Sequence, residues 1–261
     1  MPAANEGTGM TAPSEAVLQV RGLAKVYRGA ETPALNGLDF TVREGEVFGL
    51  LGPNGAGKTT AISIICTLLR PTGGSVTLCG VDTARFPARA RRMFGLAPQD
   101  IALYPSLTAR ENLRFFGGLH GLEGRDLQRR IDECLTLVGL RNGENTRIAA
   151  FSGGMKRRAN LAAAILHSPR VLFLDEPTVG IDAQSRSLIL ENLAFLRDRG
   201  TTMLYTTHYM EEAEALCTRV AVMDRGRILA EGPPRTLSAG MDGCSNLEEA
   251  FLRLTGRHLR D

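Results

Sequence analysis

The stretch Gly52-Pro53-Asn54-Gly55-Ala56-Gly57-Lys58-Thr59-Thr60 constrains the fold of this chain more than any other. It follows an apolar run, Val47 to Leu51, that reads as a buried strand, and leads into Ala61 to Leu69, which reads as an apolar helix. A strand, a glycine-rich loop and a helix in that order form the context of a phosphate-binding loop. Glycines let successive backbone N–H groups turn inward and approach phosphate oxygens without a Cβ in the way. The helix that follows directs its unpaired N–H groups and positive dipole end at the same anion. Lys58 adds a point charge for the outer phosphates, and the Thr59 hydroxyl is placed to ligate Mg²⁺. The motif by itself implies a bound nucleoside triphosphate and says nothing of what is done with it.

A second element completes this chemistry. Val171 to Leu174 is an apolar strand that ends in two carboxylates, Asp175 and Glu176. Behind a phosphate loop, such a pair supplies one carboxylate for the magnesium shell, Asp175, and one that activates the attacking water, Glu176. Met203 to Thr207 is another buried strand, with His208 at its end, and the C-terminal ends of strands are where α/β sheets bind ligands. Ser152-Gly153-Gly154 opens a further helix over Met155 to His167, with Ser152 as its N-cap. Tyr27 stands upstream of the loop at the end of a short strand, as a packed aromatic or as a platform for adenine stacking.

The rest of the chain frames these pieces. Leu18, Val20, Leu38, Phe40 and Val42 alternate as short antiparallel strands do, and Ser75 to Leu78 adds another. From Leu107 to Val138 the apolar residues recur at helical spacing, as in a helical subdomain inserted into a sheet domain. With a net charge of +3, wholesale binding of polyanions does not follow, and Arg85, Arg89, Arg91 and Arg92 read as a solvated face. Cys66, Cys79, Cys134, Cys217 and Cys244 are scattered and form no CxxC pair, as in a cytoplasmic protein with reduced thiols. No apolar run approaches the roughly 18 residues needed to span a bilayer.

Taken in order, these motifs resemble the ATP-binding subunits of ABC transporters over about residues 18–232. The resemblance implies an α/β fold: a P-loop NTPase core with an antiparallel β subdomain and an inserted α-helical subdomain at about 100–168. The ATP-binding domain would occupy 17–232, between a disordered tail at 1–16 and a short helical extension at 233–261. It further implies that Tyr27 stacks on adenine and that Gly52 to Thr60 is the Walker A loop. Gln99 is then the glutamine that touches Mg²⁺ and reports to a membrane partner. Phe151-Ser152-Gly153-Gly154-Met155 matches the family signature, which usually reads Leu-Ser-Gly-Gly-Gln; Met155 removes one side-chain amide but leaves Ser152 and the backbone amides. Asp175 and Glu176 match Walker B and its catalytic glutamate, Asp182 the D-loop, and His208 the switch histidine.

Narrower wording, including Leu107 to Leu113, Ser152 to Arg158, Leu174 to Gly180 and Leu247 to Phe251, is similar to the ABC-2 type export subfamily. The resemblance then implies a homodimer closing over two ATP, with each signature helix facing the nucleotide of the other subunit. It implies a separate polytopic membrane permease, a place on the cytoplasmic face of the membrane, and no nucleic-acid partner. Ile101, Leu103, Tyr104 and Phe115 or Phe116 would line an apolar groove for the permease. The rival reading is a soluble ABC ATPase acting on nucleic acid or ribosomes. Such proteins usually carry two cassettes in one chain or a long coiled-coil insertion, and neither is present here. A small-molecule kinase would have no reason to carry the signature helix.

Overall fold

The computed structural model describes residues 16–240 and 244–256. The tail expected at 1–16 lies outside the described residues apart from Ala16, as do 241–243 and 257–261 of the expected extension. In chain order the strands are β1 (Ala16–Lys25), β2 (Leu35–Arg43), β3 (Val47–Leu51), β4 (Gly73–Leu78), β5 (Val81–Asp82), β6 (Phe94–Ala97), β7 (Val171–Asp175), β8 (Thr202–Thr207), β9 (Arg219–Asp224) and β10 (Arg227–Gly232). The helices are α1 (Lys58–Ile65), α2 (Pro87–Arg91), α3 (Ala109–Leu119), α4 (Gly124–Leu137), α5 (Gly153–Ile165), α6 (Ala183–Asp198), α7 (Met210–Leu216), α8 (Pro234–Ala239) and α9 (Leu247–Thr255).

Two sheets result. The antiparallel one runs β2-β1-β4-β5, and the larger runs β10-β9-β3-β8-β7-β6, parallel except for the β9–β10 hairpin. Every residue of β3, β7 and β8 is buried, because the larger sheet is covered on both faces. Alternation divides those strands between two cores. Val47, Leu51, Leu172, Leu174, Met203 and Tyr205 face the helical side, with Leu113, Ile131 and Leu161. Phe48, Leu50, Val171, Phe173 and Leu204 face the antiparallel sheet and α1.

The parallel register positions the site. In β8, Thr207 pairs with Leu51 of β3 and Thr206 with Asp175 of β7. The segments that follow these three strands, beginning at Gly52, Glu176 and His208, therefore emerge side by side at one edge of the sheet.

Local chemistry explains the helices around that edge. Thr108 and Glu111 form a capping box that starts α3, while Ser152 caps α5 and Asp182 caps α6. Helix α1 begins three residues earlier than the apolar pattern predicts and ends at Ile65 rather than Leu69. It stops because Thr67 turns left-handed at φ 60°, and the N–H groups of Leu68 and Leu69 both fold back onto the Ser63 carbonyl. The expected C-terminal extension is no loose appendage: Leu247 and Phe251 of α9 are buried in the same core as the helical subdomain. Of the residues expected to line an apolar groove, Leu103 is buried, and Ile101 and Phe116 pack partly against the core. Tyr104 and Phe115 remain exposed, in edge-on contact at 5.0 Å between ring centres. The reason is packing: α3 turns Leu113 and Phe116 inward, which leaves Phe115 outward. Among the described residues no helix is long and apolar enough to cross a membrane.

Past α5, the His167 ring stacks on His120 at 3.6 Å between centres, with its Nε2 2.9 Å from the Phe94 carbonyl oxygen. Burial, and secondarily the neighbouring His120, push the His167 pKa down to about 4. The unfolded chain binds this proton near pH 6.5, so acid favours unfolding. Stability should be fully present above about pH 6.5 and fall as the pH drops toward about 4. Urea titrations across that window should show the slope in the native sequence and a shallower one in His167→Gln.

Candidate functional site

The glycine loop is held by close approaches that exclude side chains. A Cβ on Gly52 would sit 2.4 Å from the Met223 carbonyl oxygen, and one on Gly57, at φ 107°, would sit 2.5 Å from that of Ala34. Lys58 opens α1 and folds back over the loop, with its Nζ donating to the carbonyls of Gly52 at 2.8 Å and Pro53 at 3.2 Å. The same ammonium lies 3.0 Å from Glu176 Oε1 in an ion pair that is almost fully buried. Asn54 to Thr60, with Gln99 and Glu176, line a cleft of about 370 Å³.

Asp175 ends β7, where its Oδ1 accepts from the Thr206 hydroxyl at 2.7 Å and the Thr59 hydroxyl at 3.4 Å. Burial raises its carboxyl pKa, against the opposing pull of those two hydroxyls. A buried carboxylate beside a threonine hydroxyl at the mouth of a phosphate cleft is an all-oxygen donor set. It suits a hard divalent cation such as Mg²⁺.

Glu176 is backbone-strained, with φ 46°, and its N–H donates to both the carbonyl and the hydroxyl oxygen of Thr206. Its second oxygen lies 3.3 Å from His208 Nδ1, without the alignment of a hydrogen bond. One carboxylate is thus set between a lysine and an imidazole, which can orient and deprotonate a water at the cleft.

The remaining sequence-predicted residues fall into a second group that does not line the cleft. Ser152 and Gly153 are exposed at the start of α5, and the Ser152 hydroxyl accepts from the Met155 N–H at 3.2 Å. Gly154 touches α6 so closely that a Cβ would lie 2.0 Å from Ser185 Oγ. Ser185 in turn donates its N–H and hydroxyl to Asp182, at 2.9 and 2.7 Å. Asp182, Ser185 and the signature turn therefore form one surface unit. The exposed Tyr27 ring stands by the first turn of α1, its hydroxyl 3.3 Å from Thr60 Oγ1.

Several residues at the site escape a motif-by-motif reading. Thr206 holds both members of the carboxylate pair, and its signal in sequence is a double threonine at the end of an apolar strand. Arg157 donates to the carbonyl oxygens of Pro98 and Gln99 and to that of Val179, tying the Gln99 loop to the segment after Glu176. Nothing in the spacing of a basic helix face distinguishes Arg157 from Arg158.

Such a loop, carboxylate pair and capped glycine turn define an ATP-hydrolysing P-loop protein with an extra helical subdomain. A family profile described as ABC transporter matches residues 35–179. The chain is 45% identical to the linearmycin resistance ATP-binding protein LnrL of Bacillus subtilis, covering 90% of this chain and 78% of that one. It is 44% identical to the Nod factor export ATP-binding protein I of Cupriavidus pinatubonensis, covering 89% and 71%. A solved ATP-binding cassette, MJ0796, in a dimeric post-hydrolysis state bound to ADP and phosphate, superposes with a TM-score of 0.76 at 27% identity, covering 83% and 98%. The chain belongs to the ABC transporter family, as an ATP-binding subunit that hydrolyses ATP to ADP and phosphate.

The raised pKa of Asp175 has a direct consequence. Asp175→Asn keeps an oxygen acceptor for Thr206 and removes a desolvated charge. Calorimetry should find the nucleotide-free variant melting about 2–4 °C above the native protein. A lower Tm would mean that Lys58 more than compensates the charge.

Proposed function

We propose that this chain is the motor subunit of an exporter, working as a homodimer that closes over two ATP to drive a separate membrane permease. The observation that carries the reading is the Glu176 carboxylate, held between Lys58 and His208 at the end of the phosphate cleft. In this reading Tyr27 stacks on adenine, while the backbone amides of Gly52 to Thr60 and the Lys58 ammonium hold the phosphates. Thr59, Asp175 and Gln99 would hold Mg²⁺, which when bound neutralises charge on the phosphates. Glu176 accepts the proton of a water whose oxygen bonds to the γ-phosphorus as the bond to the β,γ-bridging oxygen breaks. His208 holds the far side of Glu176 and the γ-phosphate.

Ser152, Gly153 and Asp182 stand on a surface apart from this cleft, with Gly154 buried just beneath them, which supports this unit's acting on the ATP of a second copy. ATP then favours the closed arrangement over the open one, and that difference in affinity is what turns the permease. Export is supported by the relatives whose names carry resistance and export, and the dimer by the dimeric cassette of similar fold. The exposed Tyr104–Phe115 pair on the helical side gives the permease an apolar contact, and would place the subunit on the cytoplasmic face of the membrane.

Two measurements test the reading. Glu176→Gln should bind ATP with native affinity, accumulate a closed dimer and hydrolyse at least about a hundredfold more slowly. Near-native turnover would move the proton acceptor elsewhere. Tyr104→Asp, which puts a charge into the apolar contact, should leave ATP binding intact and weaken co-purification with the proposed membrane permease. Undiminished recovery of that partner would remove Tyr104 from the interface.

A further inference from the structure

Behind the hydrolytic pair lies a buried carboxylate that no motif above includes. Glu212, in the first turn of α7, is almost fully buried, at 3% exposed. Its Oε2 accepts three hydroxyl hydrogen bonds: from Tyr205 at 2.6 Å, Thr207 at 2.9 Å and Thr178 at 3.0 Å. Its Oε1 accepts none and lies 3.6 Å from Arg186 Nε, too far for a hydrogen bond. The guanidinium of Arg186 in turn sits 4.4 Å over the ring of Tyr209.

The three donors come from the segments that bracket the hydrolytic residues. Thr178 is two residues past Glu176, in the turn closed by the Val179 N–H on the Glu176 carbonyl. Thr207 immediately precedes His208, and its hydroxyl also accepts from the Tyr209 N–H at 3.0 Å, so both neighbours of His208 are tied to one oxygen. Tyr205 anchors the same carboxylate to the middle of β8.

The physical need for such an anchor is visible at Glu176. A non-glycine residue at positive φ is strained and persists only where its surroundings over-determine it. Thr206 holds Glu176 from its N–H side. On the other side the turn is closed by the Val179 N–H on the Glu176 carbonyl and tied to Arg157 through the Val179 carbonyl, and within that turn Thr178 is held by Glu212. Without that acceptor, three buried hydroxyls lose their shared partner, and the turns on either side of the Glu176–His208 contact are free to re-pair.

We infer that Glu212 is a positioning residue for hydrolysis, fixing the Glu176 turn and the His208 turn against each other through the hydroxyls of Thr178 and Thr207. It stands behind the phosphate cleft rather than in it, so it acts on turnover and leaves nucleotide affinity alone. The inference rests on the proposed roles of Glu176 and His208.

The test is steady-state ATP hydrolysis and ADP binding by calorimetry on the full chain. Glu212→Ala should lower kcat at least about tenfold, which corresponds to about 1.4 kcal/mol in the barrier. Its Kd for ADP should stay within about twofold of native. Glu212→Gln, which keeps an oxygen acceptor, should recover kcat to within about threefold of native. Thr207→Val should also lower kcat at unchanged Kd. The double variant Glu212→Ala/Thr207→Val should be no slower than Glu212→Ala alone, because both remove one link. Native kcat in a folded Glu212→Ala, independent losses in the double variant, or a Kd that weakens in parallel with kcat would overturn the inference. If Glu212→Ala does not fold, Thr207→Val decides it: reduced kcat at native Kd supports the link, and native kcat overturns it. The two readings fail separately. Native turnover in Glu176→Gln removes the catalytic assignment, whereas an inactive Glu176→Gln beside a native-like Glu212→Ala removes only the role of Glu212.

Discussion

Parallel pairing of β8 between β3 and β7 is the constraint on which the site depends. It sets Leu51 against Thr207 and Asp175 against Thr206, so the glycine loop, the carboxylate pair and His208 all leave the sheet at the same level. A slip of one residue in either pairing would move a chain end by about 3.3 Å and turn every side chain of that strand to the other face. Neither core would tolerate this. Phe48, Phe173 and Leu204 are committed to one side of the sheet, and Leu51, Leu174 and Tyr205 to the other. The apolar burial that stabilises the domain is thus also what sets the register of the chemistry.

The edge so formed carries charge that the fold has taken out of water. Lys58, Asp175, Glu176 and Glu212 are all nearly inaccessible. Such groups cost free energy unless they are paired or hydrogen-bonded. Lys58 and Glu176 meet that cost as an ion pair, and the other two mainly through threonine and tyrosine hydroxyls. Hydroxyls suit this place because each can donate and accept at once, which lets Thr207 link a carboxylate to a backbone N–H. The resulting hydrogen bonds span β7, β8 and α7.

A second linkage joins this edge to the helical subdomain. Arg157, one turn into α5, reaches the carbonyl oxygens of Gln99 and Val179, so the signature helix, the Gln99 loop and the segment after Glu176 share one guanidinium. Its planar guanidinium carries five donors spread over a fork wide enough to reach carbonyls on separate segments, whereas the three donors of a lysine all sit on one nitrogen. Gly154 and Ser185 lock the start of α5 to the start of α6 by direct contact. The glycine that looks like an anion-binding feature is also required by packing within its own chain. The surface that carries Ser152 and Asp182 is therefore joined to the segment beside Glu176 by direct contacts.

The family, the order of strands and helices and the segments that converge on the cleft were legible in the sequence, because each rests on a local requirement. Glycine at Gly52 and Gly57, a cation at Lys58, carboxylates at the end of an apolar strand and an N-cap at Ser152 are all needed within a few residues of one another. Element ends were less legible: α1 stops at Ile65 because Thr67 turns left-handed, and no apolar count reports a dihedral angle. What only the tertiary structure decided are relations between distant segments. Leu103 went to the core while Tyr104 and Phe115 stayed outside, and α9 joined the main core rather than trailing from it. Thr206, Arg157 and Glu212 are ordinary strand and helix residues in sequence. They acquire their partners only when the parallel register and the packing of α5 and α7 bring those partners within hydrogen-bonding distance.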